Sequence, residues 1–222
     1  MAGTYYNPYR KALSQAQMQA NAIWVRDYLQ PQGWTLNAIA ACLGNWESEC
    51  TINPNRPQKS GYPATATGGF GLPQWTPWLK KYGTWAKNNG IYGVANDNNP
   101  QGRFEPQLAY HEYECKYGVN GKKTWYNNRG YSYTWDQFKH STDSPETLAE
   151  AYYWQYERSG AMAVGSRPAN ARKWYNFLSG QSYNPISETP YNNGVRRTSS
   201  VIGNLKLLYL YILIYILFGK RG

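Results

Sequence analysis

Two carboxylates, Glu47 and Glu49, follow Trp46 at the C-terminal end of an apolar stretch. A Gly-rich segment, Gly68-Gly-Phe-Gly-Leu-Pro-Gln-Trp-Thr-Pro77, comes soon after. A carboxyl group that keeps its proton near neutrality can protonate a leaving oxygen, and it keeps that proton in an apolar, partly desolvated setting. Trp46, Phe70 and Trp75 are side chains that can supply such a setting. These residue types suit cleavage of a glycosidic bond, which needs an acid on the leaving oxygen and, in many enzymes, a second carboxylate as base or nucleophile. In the loop, glycine allows close backbone approach to a ligand. Gln74 brings amide donors and an acceptor, Trp75 a stacking face, and Thr76 a hydroxyl. The plainer reading is a pair of solvated helix-end carboxylates and a Gly-Pro turn around a core Trp.

Helical periodicity separates the two carboxylates. At ~100° per residue, Glu47 falls in line with Leu36, Leu43 and Cys50, whereas Glu49 lies on a flank with Ala38 and Cys42. Periodicity alone therefore buries Glu47. No Asp or Glu occurs between Glu49 and Asp97. A second acid (Glu47, Glu105, Asp136 or Glu157) can arrive only through folding. That absence favours a single-Glu scheme, in which the 6-hydroxyl of the sugar or a distantly held water attacks.

The elements that must position these groups are mainly helical. A helix starts at Ser14, whose capping-box spacing to Gln17 precedes Met18, Ala22, Val25 and Leu29 at helical intervals. Thr35 caps a second helix through Leu36, Ile39 and Leu43 to about Cys50, stopped by Asn53-Pro54. Residues 51–77, with Pro at 54, 57, 63, 73 and 77, read as loop or short hairpin forming one side of a cleft. Shorter helices are expected over 78–86, from 105 or 106 to 116, and from Thr134. Ser144-Pro145-Glu146 opens a helix running to Glu157, and a last one spans about 168–178, ended by Gly180. The expected fold class is mainly α, an α+β arrangement with a small loop or hairpin region. The expected division is an N-terminal arm (1–12), one domain (13–180), a flexible linker (181–200) and an apolar tail (201–222).

Glu49-Cys-Thr-Ile-Asn53-Pro54 resembles the E-S-x-x-N-P pattern of lytic transglycosylases and of the lysozyme-type muramidases carried on phage tails, where that Glu is the acid. The resemblance selects Glu49 as catalytic, with Glu47 as the alternate, because the offset to Asn-Pro is a sharper constraint than a stripe at a fraying helix end. Gly69-Phe-Gly-Leu-Pro-Gln-Trp-Thr-Pro77 is similar to the G-x-G-L-x-Q loop of the same families, which lines the cleft and touches N-acetyl sugars. Trp135-Asp-Gln-Phe-Lys139, Ser144-Pro145 and Tyr156-Glu157-Arg158 are similar to the closing segment of phage tail lysozymes. A Glu157–Arg158 pair there reads first as a structural ion pair. The likeness runs from about residue 14 to 180. It implies a lysozyme-like fold and a muramidase cutting between N-acetylmuramic acid and N-acetylglucosamine. Asn53, Phe70, Gln74, Trp75, Thr76 and Tyr156 are the expected substrate-binding residues. Other phage tail proteins are implied partners, the virion tail the implied location and the host wall the site of action.

Composition bounds the rest. Aromatics make up 17% of the chain, with 22 Tyr and 10 Trp, side chains that suit sugar stacking. The net charge of +10 attracts polyanions such as a teichoic-acid-bearing wall. No basic run exceeds two residues, so no nucleic-acid partner is expected. Cys42, Cys50 and Cys115 form no C-x-x-C. Cys42 and Cys50 on one helix lie ~12 Å apart, too far for a disulfide, so buried free thiols are expected. His111 and His140 are too scattered for a zinc site, and no cofactor is implied. The N-terminus lacks a signal-peptide pattern, which points to synthesis in the host cytoplasm. Leu207–Phe218 is an unbroken apolar run of twelve, reaching only ~18 Å as a helix. Residues 201–218 read as a membrane-contacting segment, an apolar plug for another virion protein, or an extension without function. Competing functions are a late-lysis endolysin with a membrane-associating tail and a non-catalytic wall-binding or tail-structural module.

Overall fold

The computed structural model describes residues 4–58, 67–158 and 164–182. Among these, seven α-helices and no strands are found: α1 (Gln15–Leu29), α2 (Leu36–Cys50), α3 (Tyr82–Asn88), α4 (Phe104–Tyr117), α5 (Trp135–His140), α6 (Pro145–Tyr152) and α7 (Arg167–Ser179). The chain is mainly α, as the sequence implies. The small β component reduces to isolated antiparallel bridges, Pro57 to Phe70 and Phe70 to Trp75. Prolines at 54, 57, 73 and 77 remove the N–H groups a ladder needs. The linker and the apolar tail, from residue 183 onward, lie outside the described residues. Among those described, no helix is long and apolar enough to cross a membrane.

Helix starts follow local chemistry. Ser14 and Thr134 each form a complete capping box with the Gln three residues on, and the Thr35 and Ser144 side chains accept from the backbone of Ala38 and Thr147. Tertiary context changes two elements. The helix expected over 78–86 is a 3₁₀ turn at Trp78–Lys80 followed by α3. Helix α6 continues as a π-helical segment, Tyr153–Glu157, so Tyr156 and Glu157 face where an α-helix would not aim them.

Helix α2 is the axis of the molecule. Every residue from Ala38 to Trp46 is buried, so this helix is covered on all sides and carries no single core stripe. It packs chiefly against α7 and α6. Gly44 allows the closest approach: a Cβ there would lie 2.6 Å from Ala171 N and Arg167 O. Arg26 of α1 fixes the far end of α7, donating to the Leu178 carbonyl at 3.2 Å and pairing with Asp27 at 2.7 Å. Residues 5–7 lie against this body, with Tyr5 edge-on to Trp24 and Phe104 and Tyr6 N donating to Asn21. A second cluster (Phe70, Trp75, Trp78, Tyr82, Tyr110) joins the 67–78 loop to α3 and α4. All three cysteines are buried and free.

Candidate active site

Between the two clusters lies a cavity of about 310 Å³. Glu49, Tyr156, Glu157 and Arg158 line it from the α2 and π-helical side. Pro73, Gln74, Trp75, Thr76 and Lys81 face them from the loop, and Glu114 of α4 lies with the lining residues.

The loop wall is held by hydrogen bonds between side chains and backbone groups. Gly71 sits at φ +83°, and a Cβ there would meet Gln107 Oε1 at 2.7 Å. That oxygen accepts from Leu72 N at 3.0 Å, while Gln107 Nε2 donates to the Pro54 and Gln101 carbonyls. Gln74, itself at φ +50°, donates through Nε2 to the Arg56 and Gly71 carbonyls at 2.9 and 2.8 Å. Its amide thus braces the loop while its body lines the cavity. Thr76 Oγ1 donates to the Gln74 carbonyl at 2.9 Å.

Three carboxyl groups share the cavity in different surroundings. Glu49 is the most accessible, with its side chain 23% exposed, and it accepts from Arg167 Nη2. Glu157 is almost closed off at 5%. Its Oε2 accepts from Arg167 Nε at 3.1 Å, and its Oε1 has no partner among the described residues. Burial and the neighbouring Glu49 charge push Glu157 above the usual carboxylate range, with Arg167 pulling the other way. Glu114 is fully enclosed. Its Oε1 accepts from both Trp75 Nε1 and Tyr156 OH, and Tyr156 OH also accepts from Trp75 Nε1 at 2.9 Å. Burial pushes Glu114 up to about 7, against those same donors.

Comparison with known proteins places the chain. The phage tail lysozyme family matches over residues 20–178. The chain belongs to the phage tail lysozyme family. One curated relative, Morphogenesis protein 1 of Bacillus phage B103, is 36% identical over 169 residues, a match taking in 76% of this chain. The chain spans about 42% of that relative's length.

Within this phage tail lysozyme fold, the expected site residues separate into two groups. Glu49, Gln74, Trp75, Thr76 and Tyr156 come together at the cavity. Asn53 and Phe70 do not line it. Asn53 is fully buried, and its amide donates to the Pro8 and Lys11 carbonyls at 2.8 and 2.7 Å, which fixes the chain after α2. Phe70 is 2% exposed and packs on Trp78. Both lie beneath the surface because the turn after α2 and the Gly-rich loop need anchors of their own. Glu47 also lies elsewhere, bound by Lys173 Nζ at 2.6 Å and Trp174 Nε1 at 2.8 Å. Periodicity buries Glu47, and its side chain is indeed the less exposed of the two, 16% against 23% for Glu49, but it faces α7 and not the cavity. The Glu157–Arg158 pair gives way to a Glu157–Arg167 pair, while Arg158 stacks over the Tyr126 ring at 3.9 Å.

Glu114 is the residue that sequence reasoning passed over. A signal was present: Gln107, His111 and Glu114 recur at spacings of four and three, flanked by Leu108 and Cys115. That pattern puts polar groups on an inward helical face. His111 fits it too, being buried with Nε2 2.8 Å from Tyr152 OH.

Proposed function

We propose that the chain is a peptidoglycan glycosidase, a muramidase cutting β-1,4 bonds between N-acetylmuramic acid and N-acetylglucosamine, with Glu49 as general acid. The observation that carries this is the position of Glu49, at the end of α2 and open to a cavity whose far wall is Gln74, Trp75 and Thr76. Membership of the phage tail lysozyme family supports lytic activity on peptidoglycan and a virion-associated protein. Among the three carboxyls, Glu49 is the most accessible to solvent and lines the cavity at the end of α2. Glu114 would have to release Trp75 and Tyr156 to reach a leaving oxygen. Trp75 and Tyr156 lie among the lining residues, though both are largely buried, and Gln74 braces the loop beside them. The acidic residues that folding adds, Glu114 and Glu157, widen the single-Glu scheme, since either can tune the acid without touching the substrate.

A virion role suits a basic protein acting on an anionic wall: the particle carries it to the host surface, among other tail proteins. The test is clearing of purified cell walls by wild type and Glu49→Gln. Loss of a general acid lowers the rate by about 10²–10⁴-fold. A Glu49→Gln protein that clears walls as wild type does removes Glu49 from the role. Wild-type binding without clearing supports a wall-binding module instead. Mass spectrometry of the released fragments separates 1,6-anhydro ends from reducing ends, and with them transglycosylase from hydrolase chemistry.

A further inference from the structure

Arg167, the first residue of α7, serves two carboxyls at once. Its Nη2 donates to Glu49 and its Nε to Glu157 Oε2 at 3.1 Å, while its guanidinium lies over the Tyr153 ring at 4.8 Å. With both carboxyls ionised, one cation would face two anions in a largely dry site, a costly arrangement that a single proton relieves. The geometry marks where that proton rests. Glu157 Oε1 is buried with no hydrogen-bond partner among the described residues, whereas Glu49 meets both Arg167 and solvent.

We propose that Glu157 is a positioning residue for the acid: it stores one proton while the cleft is empty, and Arg167 passes from Glu49 to Glu157 when a sugar covers Glu49, so that Glu49 receives the proton. The inference rests on Glu49 being the acid. An O–H bond breaks on Glu157 and one forms on Glu49, Arg167 stays charged, and the net charge of the trio is zero before and after. A bound sugar drives the exchange by stripping water from Glu49, which disfavours its charged form. Other charged groups stand further off. Lys81 lies toward Glu114, Arg158 lies over Tyr126, and Arg56 donates to Thr51 Oγ1 at 3.1 Å at the end of α2. Glu114 is held by Trp75 and Tyr156, Glu47 is bound by Lys173, and the Cys42 thiol faces Glu157. Arg167 is the cation in contact with both carboxyls.

The experiment is a set of pH–rate profiles on purified peptidoglycan, with kcat and KM separated, for the full chain and its Glu157→Gln, Glu157→Asp and Arg167→Gln variants. Wild-type activity falls as rising pH removes the last proton from the pair. In Glu157→Gln, Glu49 faces Arg167 alone and gives up its proton earlier. Its descending limb moves down by about two pH units or more, a loss in kcat that reaches about 100-fold at pH values above the wild-type limb. Acidification restores the rate, and KM hardly changes. Glu157→Asp keeps the wild-type limb. Arg167→Gln moves the limb upward, because no cation draws the proton away. A Glu157→Gln protein that loses the same factor at every pH, or whose limb stays in place, overturns the inference. Carbon-13 carboxyl NMR of the wild type gives a readout independent of turnover: the signal that Glu157→Gln removes titrates above the one that Glu49→Gln removes, and the reverse order overturns the proposal. Glu49→Gln in the same series keeps the two readings apart. If it is inactive while the limbs stay unmoved, only the role of Glu157 falls. If it is active, the acid assignment falls and takes this inference with it.

Discussion

A carboxyl group works as an acid only where its surroundings hold its proton, and the three in this cavity differ in that respect. Glu114 is the clearest case. Burial raises it to about 7 from an ordinary 4.5, so between those values the folded protein binds a proton that the unfolded chain has released. Its contribution is complete at and below pH 4.5 and is lost as pH rises through 7, on the order of 3 kcal/mol over that window. Glu114→Gln should remove this slope while keeping an acceptor for Trp75 Nε1 and Tyr156 OH. Urea denaturation at pH 5 and pH 7.5 checks it: the wild type should lose stability between the two and the variant should lose much less. An equal loss in both sinks the argument. Glu49 is the proposed acid on the strength of a resemblance that its neighbours do not share. Its offset to Asn53-Pro54 is a local pattern, whereas Glu114 and Glu157 reach the cavity only through packing.

At the scale of elements, the carboxylates at the end of α2 are held by α7. Glu49 and Glu47 leave the end of α2 and are met by Arg167 and by Lys173 with Trp174, all on α7. Gly44 sets the distance, since backbone atoms of α7 occupy the space a Cβ would need. Gly44→Ala should push α7 outward and cost about 1–3 kcal/mol by overpacking. It should also loosen Arg167 from Glu49 and Glu157. A thermal melt and a wall-clearing assay read both effects, and a variant as stable and active as wild type would show that the contact does not set the site. The capping signals of α1, α2, α5 and α6 were legible because each is satisfied within one turn of sequence. The split of the 78–86 helix was not, because it depends on Trp78 and Tyr82 packing under the loop. The π-helical turn that re-aims Tyr156 and Glu157 has no local signature either.

For the molecule as a whole, stability should peak on the mildly acidic side. His111 is buried beside Trp46, Trp135 and Tyr152, and burial lowers it to about 3 from 6.5. The arrangement that uses every proton has Trp46 Nε1 donating to Tyr152 OH at 3.0 Å and Tyr152 donating to neutral His111 Nε2. Between pH 3 and 6.5 the unfolded chain binds a proton that the native state refuses, so stability falls as pH drops through that range. Glu114 and His111 therefore oppose one another from 4.5 to 6.5. Below 4.5 the His111 loss stands alone, and above 6.5 Glu114 and Glu157 both favour unfolding. Denaturation curves from pH 3.5 to 8 should trace this profile, and His111→Gln should flatten its acid side. An unchanged acid limb in that variant rules the mechanism out. The charge of +10 also acts at this scale. Wall binding should weaken as salt rises from 50 to 500 mM, on the screening length of roughly 10 Å at 0.1 M. Pull-down on purified walls measures it, and salt-independent binding would remove the electrostatic account.

The sequence by itself determined the helical class, most helix starts and the free state of the thiols. Each of these depends on residues within a turn or two of one another, where spacing alone fixes geometry. Tertiary structure decided the rest. It buried Asn53 and Phe70 as anchors, placed Glu114 among the cavity residues, and gave Glu157 to Arg167 in place of Arg158. Those contacts join residues of α2, α4, the π-helical segment and α7, which are distant in sequence. Their ionisation is set by how much water each element excludes, and no single segment of the chain carries that quantity.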